Sequence, residues 1–129
     1  MSYQSDYVLR LIEQMGELVR RAMAKLGEGA ADEPCEVAGQ AIGLSLGMDP
    51  AVASRLSSQS LVSLLELSSL DDQVINLLAQ AIELEAEALQ RGGEMIGAGV
   101  RREQASAVRS LLGPKTTRAT APRIGTGAD

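Results

Sequence analysis

The sequence predicts an all-α fold: a compact bundle of five to six antiparallel helices, arranged as tetratricopeptide-like helix pairs and followed by a disordered C-terminal tail. Three observations predict it. Apolar residues recur at three- and four-residue steps in successive segments. Asp, Ser and Pro stand just ahead of these segments and Gly just behind them, as helix boundaries require. No segment alternates apolar and polar residues over strand length. The chain has 129 residues, 45% hydrophobic and 22% charged, which fits one globular domain.

The first helix is expected to start near Ser5 or Asp6, either of which caps an amino end. Val8, Leu11, Ile12, Met15, Leu18, Val19, Ala22, Met23 and Leu26 form its apolar stripe. Asp6 with Arg10 and Glu17 with Arg21 stand four apart, acid first, the favourable order on a helix surface. Gly27 is the expected left-handed stop. A loop then leads to Asp32-Glu33-Pro34, where the proline suits a first turn. Val37, Ala38, Ala41, Ile42, Ser45 and Leu46 make a second, shorter stripe, and Gly39 and Gly43 leave one side open to close approach by a neighbour.

Gly47 closes this helix. Asp49-Pro50 opens two further turns, expected over Ala51 to Leu56. Ser57 and Ser58 offer a new cap for a helix carrying Leu61, Leu64, Leu65 and Leu67. Asp71-Asp72 caps a long helix that runs to Arg91 and ends at Gly92-Gly93. Met95 to Gly99 contains two glycines, each weakening a helix by about 1 kcal/mol. A loop or frayed start is expected there, with the last helix from about Val100 to Leu112, buried through Ala105, Val108, Leu111 and Leu112.

Charge divides the chain. Residues 1–112 carry 9 basic and 16 acidic side chains, a net of −7. Residues 113–129 carry Lys115, Arg118 and Arg123 against Asp129, a net of +2. Residues 1–112 therefore read as a helical domain and 113–129 as a flexible basic tail, too poor in apolar residues to offset the entropy of ordering.

The acidic balance argues against a nucleic-acid partner, because phosphates need a basic patch. No apolar run reaches the roughly 18–20 residues of a membrane span, so no membrane partner is expected. The start of the sequence lacks a basic segment followed by an apolar stretch, and with the lone Cys35 this gives a cytoplasmic expectation.

The opening Asp6-Tyr7-Val8-Leu9-Arg10-Leu11-Ile12-Glu13-Gln14, a DY-x-LRLIEQ-type motif, resembles the start of a small uncharacterised bacterial family. The turn Leu44-Ser45-Leu46-Gly47-Met48-Asp49 and the Ser- and Leu-rich helix after it are also similar. The resemblance covers residues 3–112 and implies a helical, tetratricopeptide-like outline. It implies no activity and no catalytic residue. The chain departs from the tetratricopeptide consensus in lacking its aromatic residues and a clear 34-residue repeat.

Candidate chemistry is sparse. Cys35 sits near an expected helix amino end, which lowers a thiol pKa, but the sequence contains no His to pair with it. Glu83 and Glu87 share a helix face without the Glu-x-x-His partner of a metal-carboxylate bundle. Gly92 to Gly99 lacks the Lys-Ser/Thr ending of a phosphate loop. No catalytic residue, metal or cofactor is therefore assigned.

Partner-binding candidates are Tyr3 and Tyr7, four apart and the only aromatics; Arg102 and Arg109, seven apart on the last helix; and Arg118, Arg123 and Ile124, a linear docking segment in the tail. The expected function is a non-enzymatic protein–protein interaction module, an adaptor or assembly subunit that binds a protein partner or self-associates as a homodimer. The alternative is a small-ligand-binding or regulatory domain, with Met15, Met23 and Met95 adapting to an irregular cavity.

Overall fold

The computed structural model describes residues 2–29 and 36–112, with side chains described from Asp6 onward. Six helices and no strand occur among the described residues. They are α1 (Ser2–Gly27), α2 (Val37–Leu46), α3 (Pro50–Ala53), α4 (Ser58–Ser68), α5 (Asp72–Arg91) and α6 (Met95–Arg109). The expectations for Cys35, for the Asp32-Glu33-Pro34 start and for the tail fall outside the described residues.

Helix α1 buries Leu11, Met15, Leu18, Val19, Ala22 and Leu26, the centre of the predicted stripe. Met23 does not join them and is 55% exposed. One residue past Ala22 is a turn of about 100° around the axis, which carries its side chain off the buried face. The helix begins at Ser2, so Ser5 and Asp6 lie inside it rather than capping it; only Tyr3 and Gln4 intervene, and neither breaks helical hydrogen bonding.

Gly27 is the last helical residue, and the left-handed position is Gly29, at φ 85°. The exposed last turn of α1 gains an acceptor bond from outside. The Arg91 guanidinium of α5 donates to the Leu26 carbonyl at 2.8 Å.

Helix α2 is the most enclosed element, with Val37, Ala38, Gly39, Ala41, Ile42, Gly43 and Ser45 all buried. Its small residues permit this. A Cβ on Gly39 would lie 2.9 Å from the Pro50 carbonyl oxygen, and one on Gly43 would lie 2.7 Å from that of Met48. The close approach expected at these glycines is made by the chain that turns back into α3. Gly47 terminates α2 at φ 69°, its N–H returning to the Gly43 carbonyl.

Asp49 caps α3 by accepting from the Ala51 N–H at 2.7 Å, with Pro50 in the first turn. The helix ends at Ala53 rather than continuing to Leu56. Beyond it the carbonyls of Ser54 and Leu56 turn toward α6, where side chains donate to them. Ser57 caps α4 and Asp71 caps α5, by accepting from Ser60 and Gln73 N–H groups respectively.

Helix α5 packs against α6, α1 and α2 and is the organising element. It contributes Val74, Leu78 and Ile82 to a core completed by Met15, Ile42, Leu61, Leu65 and Val108. Helix α6 lies antiparallel to it: Arg109 reaches Glu83 while Arg101 reaches Glu85 and Arg102 reaches Gln90.

Helix α6 starts at Met95, so the loop expected over 95–99 is helical. Two contacts offset the glycine penalty. Ala98 is buried at 2% exposure, and Gly97 lies where a Cβ would touch the Leu89 side chain at 3.4 Å. The helix ends at Arg109, and Leu111 and Leu112 fold back onto the core in a turn.

Candidate protein-docking site

Two polar regions differ in what they leave available. The first is an internal latch on α5 and α6. Glu85, 5% exposed, accepts from the Ala38 N–H at 2.9 Å and from Arg101 Nε at 2.8 Å. Glu36 at the start of α2 makes no side-chain cap, so the helix is capped from α5 instead. Arg101 also donates to Gln104 Oε1 at 2.5 Å and to the Ser54 carbonyl at 3.1 Å, while Gln104 donates to the Leu56 carbonyl at 2.9 Å.

Arg101 and Glu85 thus fasten α6 to the first turn of α2 and to the α3–α4 joint. Burial pushes the Glu85 carboxyl above the ordinary carboxylate range, against the pull of Arg101 and of the Ala38 N–H.

The predicted arginines belong to this same side of the molecule. Arg109 forms a forked pair with Glu83, at 2.8 and 2.9 Å, and donates to Asn76 Oδ1 at 3.0 Å. The hydrogen bond from Arg109 holds the Glu83 carboxyl below its usual range, and Glu83 raises Arg109 in return. Arg102 is exposed and donates to Gln90 of α5.

Both arginines therefore lean across α5, on one side as their spacing predicts, and Arg109 is engaged within the fold. Glu87 pairs with Arg91 at 2.8 Å, so the two carboxylates on the shared face are each held by an arginine. Among the described residues no group of three or more His, Cys, Asp or Glu is placed to hold a metal ion.

Tyr7 stands 58% exposed on α1. Tyr3 lies in α1 with its side chain undescribed, and Arg118, Arg123 and Ile124 lie outside the described residues. Met15 is wholly buried, whereas Met23 and Met95 are 55% and 60% exposed. The three methionines therefore do not line a common cavity. Met95, Ile96 and Val100 leave the first two turns of α6 apolar and open to solvent.

The second region is a groove of about 710 Å³ between α1 and α2. Leu18, Leu44, Met48 and Pro50 give it apolar walls, and Gly43 keeps its floor low. Glu13, Gln14, Glu17, Arg21 and Gln40 form the polar lining. Glu17 is bonded to Arg20 at 2.6 Å, and that bond holds its carboxyl below the ordinary range. Glu13 has no ion pair or hydrogen bond to a described side chain.

Apolar walls with a few polar groups at the edge are the ordinary anatomy of a recognition site. Sequence reasoning missed Leu44, Met48 and Glu13 here. The signal for the groove was the Gly39–Gly43 spacing, but nothing in the sequence shows that Pro50 would be the element drawn against it.

No helix among the described residues is long and apolar enough to cross a membrane. No family model, no curated protein and no solved structure matches the chain.

Proposed function

We propose that this protein is a cytoplasmic, non-enzymatic interaction module that docks a protein segment in the α1–α2 groove. One observation carries the reading. The groove pairs an apolar wall, formed by the exposed Leu44 and the half-buried Met48, with an exposed Glu13 carboxylate that the fold does not use. The fitting occupant is an extended segment that combines an apolar side chain with a basic one. The apolar group enters between Leu44 and Met48, and the cation meets Glu13 at the rim, where charge sets partner choice more than affinity.

Fluorescence polarisation with labelled peptides tests this. Basic-apolar peptides are expected to bind the intact protein, and Leu44→Asp is expected to remove at least tenfold in affinity. Equal binding of acidic-apolar peptides, or binding unaffected by Leu44→Asp, overturns the reading.

A second reading, a small-ligand-binding or regulatory domain, is favoured by a cavity of about 400 Å³ over the latch, lined by Glu36, Gln40, Ser54, Glu85 and Arg101 among others. An arginine has five N–H donors, and Arg101 uses three of them on described residues. Thermal shift with small carboxylates and phosphates checks it: a rise in Tm that Gln40→Ala removes supports it, and no rise with any of them ends it.

A further inference from the structure

We infer that the α1–α2 groove is occupied in cis by the chain's own basic segment, residues 115–124, so that an outside partner must displace it. The inference rests on the groove being a docking site for a basic-apolar segment, as proposed above.

Three observations carry it. The first is position. The end of α6 packs on α5, where Arg109 donates to Asn76 at 3.0 Å, and Asn76 lines a surface hollow with Glu13 of α1. Glu13 also lines the groove itself. A segment leaving after Leu112 therefore starts one hollow away.

The second is reach. Residues 113–124 span at most roughly 40 Å at ~3.3–3.6 Å per residue, whereas the ten residues of α2 that form one wall are about 15 Å long.

The third is chemistry. The segment carries Lys115, Arg118 and Arg123 with Ile124 as its one large apolar residue, and it follows a domain of net charge −7. Ile124 fits the wall between Leu44 and Met48, and Arg123 beside it meets Glu13. Within the groove lining Arg21 is the one opposing cation.

Tethering makes weak affinity sufficient. A short tether gives an effective concentration on the order of millimolar, so a groove with a dissociation constant near that value is half filled by its own segment. An outside partner then binds with correspondingly reduced apparent affinity until it displaces the segment.

A spin label on the full-length chain tests the inference. The label is placed at Ala121→Cys in a Cys35→Ser background, and amide relaxation is read by NMR. The expected result is enhanced relaxation at Gln40, Gly43, Leu44 and Met48, with Ile96 and Gly99 on α6 unaffected. Ile124→Ser, Glu13→Arg or raised salt should each remove most of the enhancement. Glu13 is exposed, so its replacement leaves the fold intact.

Mixing spin-labelled unenriched chains with unlabelled enriched ones separates occupants: groove enhancement that appears in this mixture means a second copy fills the groove and overturns the cis assignment, whereas its absence from the mixture supports it. Enhancement that is absent from the groove, or spread evenly over the surface, also overturns it. If the segment stays off the groove while free basic-apolar peptides bind there, this inference fails alone and the docking reading stands. If Leu44→Asp leaves peptide binding unchanged, the docking reading fails with it.

Discussion

The α5–α6 face carries charge on both of its helices and the α1–α2 groove on α1 alone, and the two regions put their charges to opposite uses. On the α5–α6 face Glu83, Glu85, Arg101 and Arg109 find one another within the fold. In the groove Leu44 and the Glu13 carboxylate are left open, with Met48 half-buried beside them. The difference teaches that the densest charge in a small helical chain need not mark its binding surface. Charge concentrated on two antiparallel neighbours is consumed by their pairing, and an unpaired carboxylate is left where α1 borders the charge-free α2.

The largest effect should come from breaking the latch. Arg101→Met leaves Glu85 buried without its cation, a change that costs about 3–5 kcal/mol. The loss is read by urea unfolding. It should shrink in acid, because a protonated Glu85 carries no charge to bury. The sign follows from the raised pKa. A carboxyl whose folded-state pKa lies above its unfolded value disfavours folding increasingly as pH rises through that value, and removing Arg101 strengthens this trend. A loss independent of pH would show that Glu85 does not depend on Arg101.

Next in size is Gly39→Ala. The added methyl meets the Pro50 carbonyl at 2.9 Å, and overpacking of this kind costs about 1–3 kcal/mol. Thermal unfolding followed by circular dichroism checks it. An unchanged Tm would mean that α3 does not lie against α2 as closely as described, and the groove's Pro50 wall would go with it.

A smaller effect is expected at the second pair. Glu83 and Arg109 are 43% and 40% exposed, so solvent screens them, and Glu83→Gln should cost at most about 1 kcal/mol. Its pH signature is opposite to that of Glu85. Glu83 has a lowered folded pKa, so its contribution is present above the unfolded carboxyl pKa and is lost as pH falls through the lowered folded value. Comparing wild type with Glu83→Gln across that acid window should show the stability difference vanish. A difference that persists below the folded value would contradict the pairing.

The smallest stability effect is expected in the groove. Leu44→Met, which keeps volume and helix propensity, should change unfolding free energy by no more than about 0.5 kcal/mol, since Leu44 is 36% exposed. A larger loss would make Leu44 part of the core and remove the contrast between the two regions.

Much of this was legible in the sequence, for local reasons. The α1 stripe, the Asp49, Ser57 and Asp71 caps and the Gly47 stop depend on residues within four positions of each other, and the structure places them as expected except for Met23, which leaves the stripe. The departures depend on distant partners. The start of α6 is helical because Leu89 and the core receive Gly97 and Ala98. The amino end of α2 is capped by Glu85, 47 residues away from Ala38.

The pairings of Glu83 and Glu85 were not legible, because period alone does not say which arginine will face them. The groove was half visible. The glycine pair announced a close approach, but not which side chains would border the space left beside it.

In-cell photo-crosslinking tests the central contrast most directly. A photoreactive residue is placed at Leu44 in the groove or at Arg102 on the α5–α6 face, both exposed, and the crosslinked peptides are sequenced. The account predicts that position 44 captures basic-apolar segments, its own residues 115–124 among them, while position 102 captures no such segment. Capture of those segments at position 102 and not at 44 would contradict it.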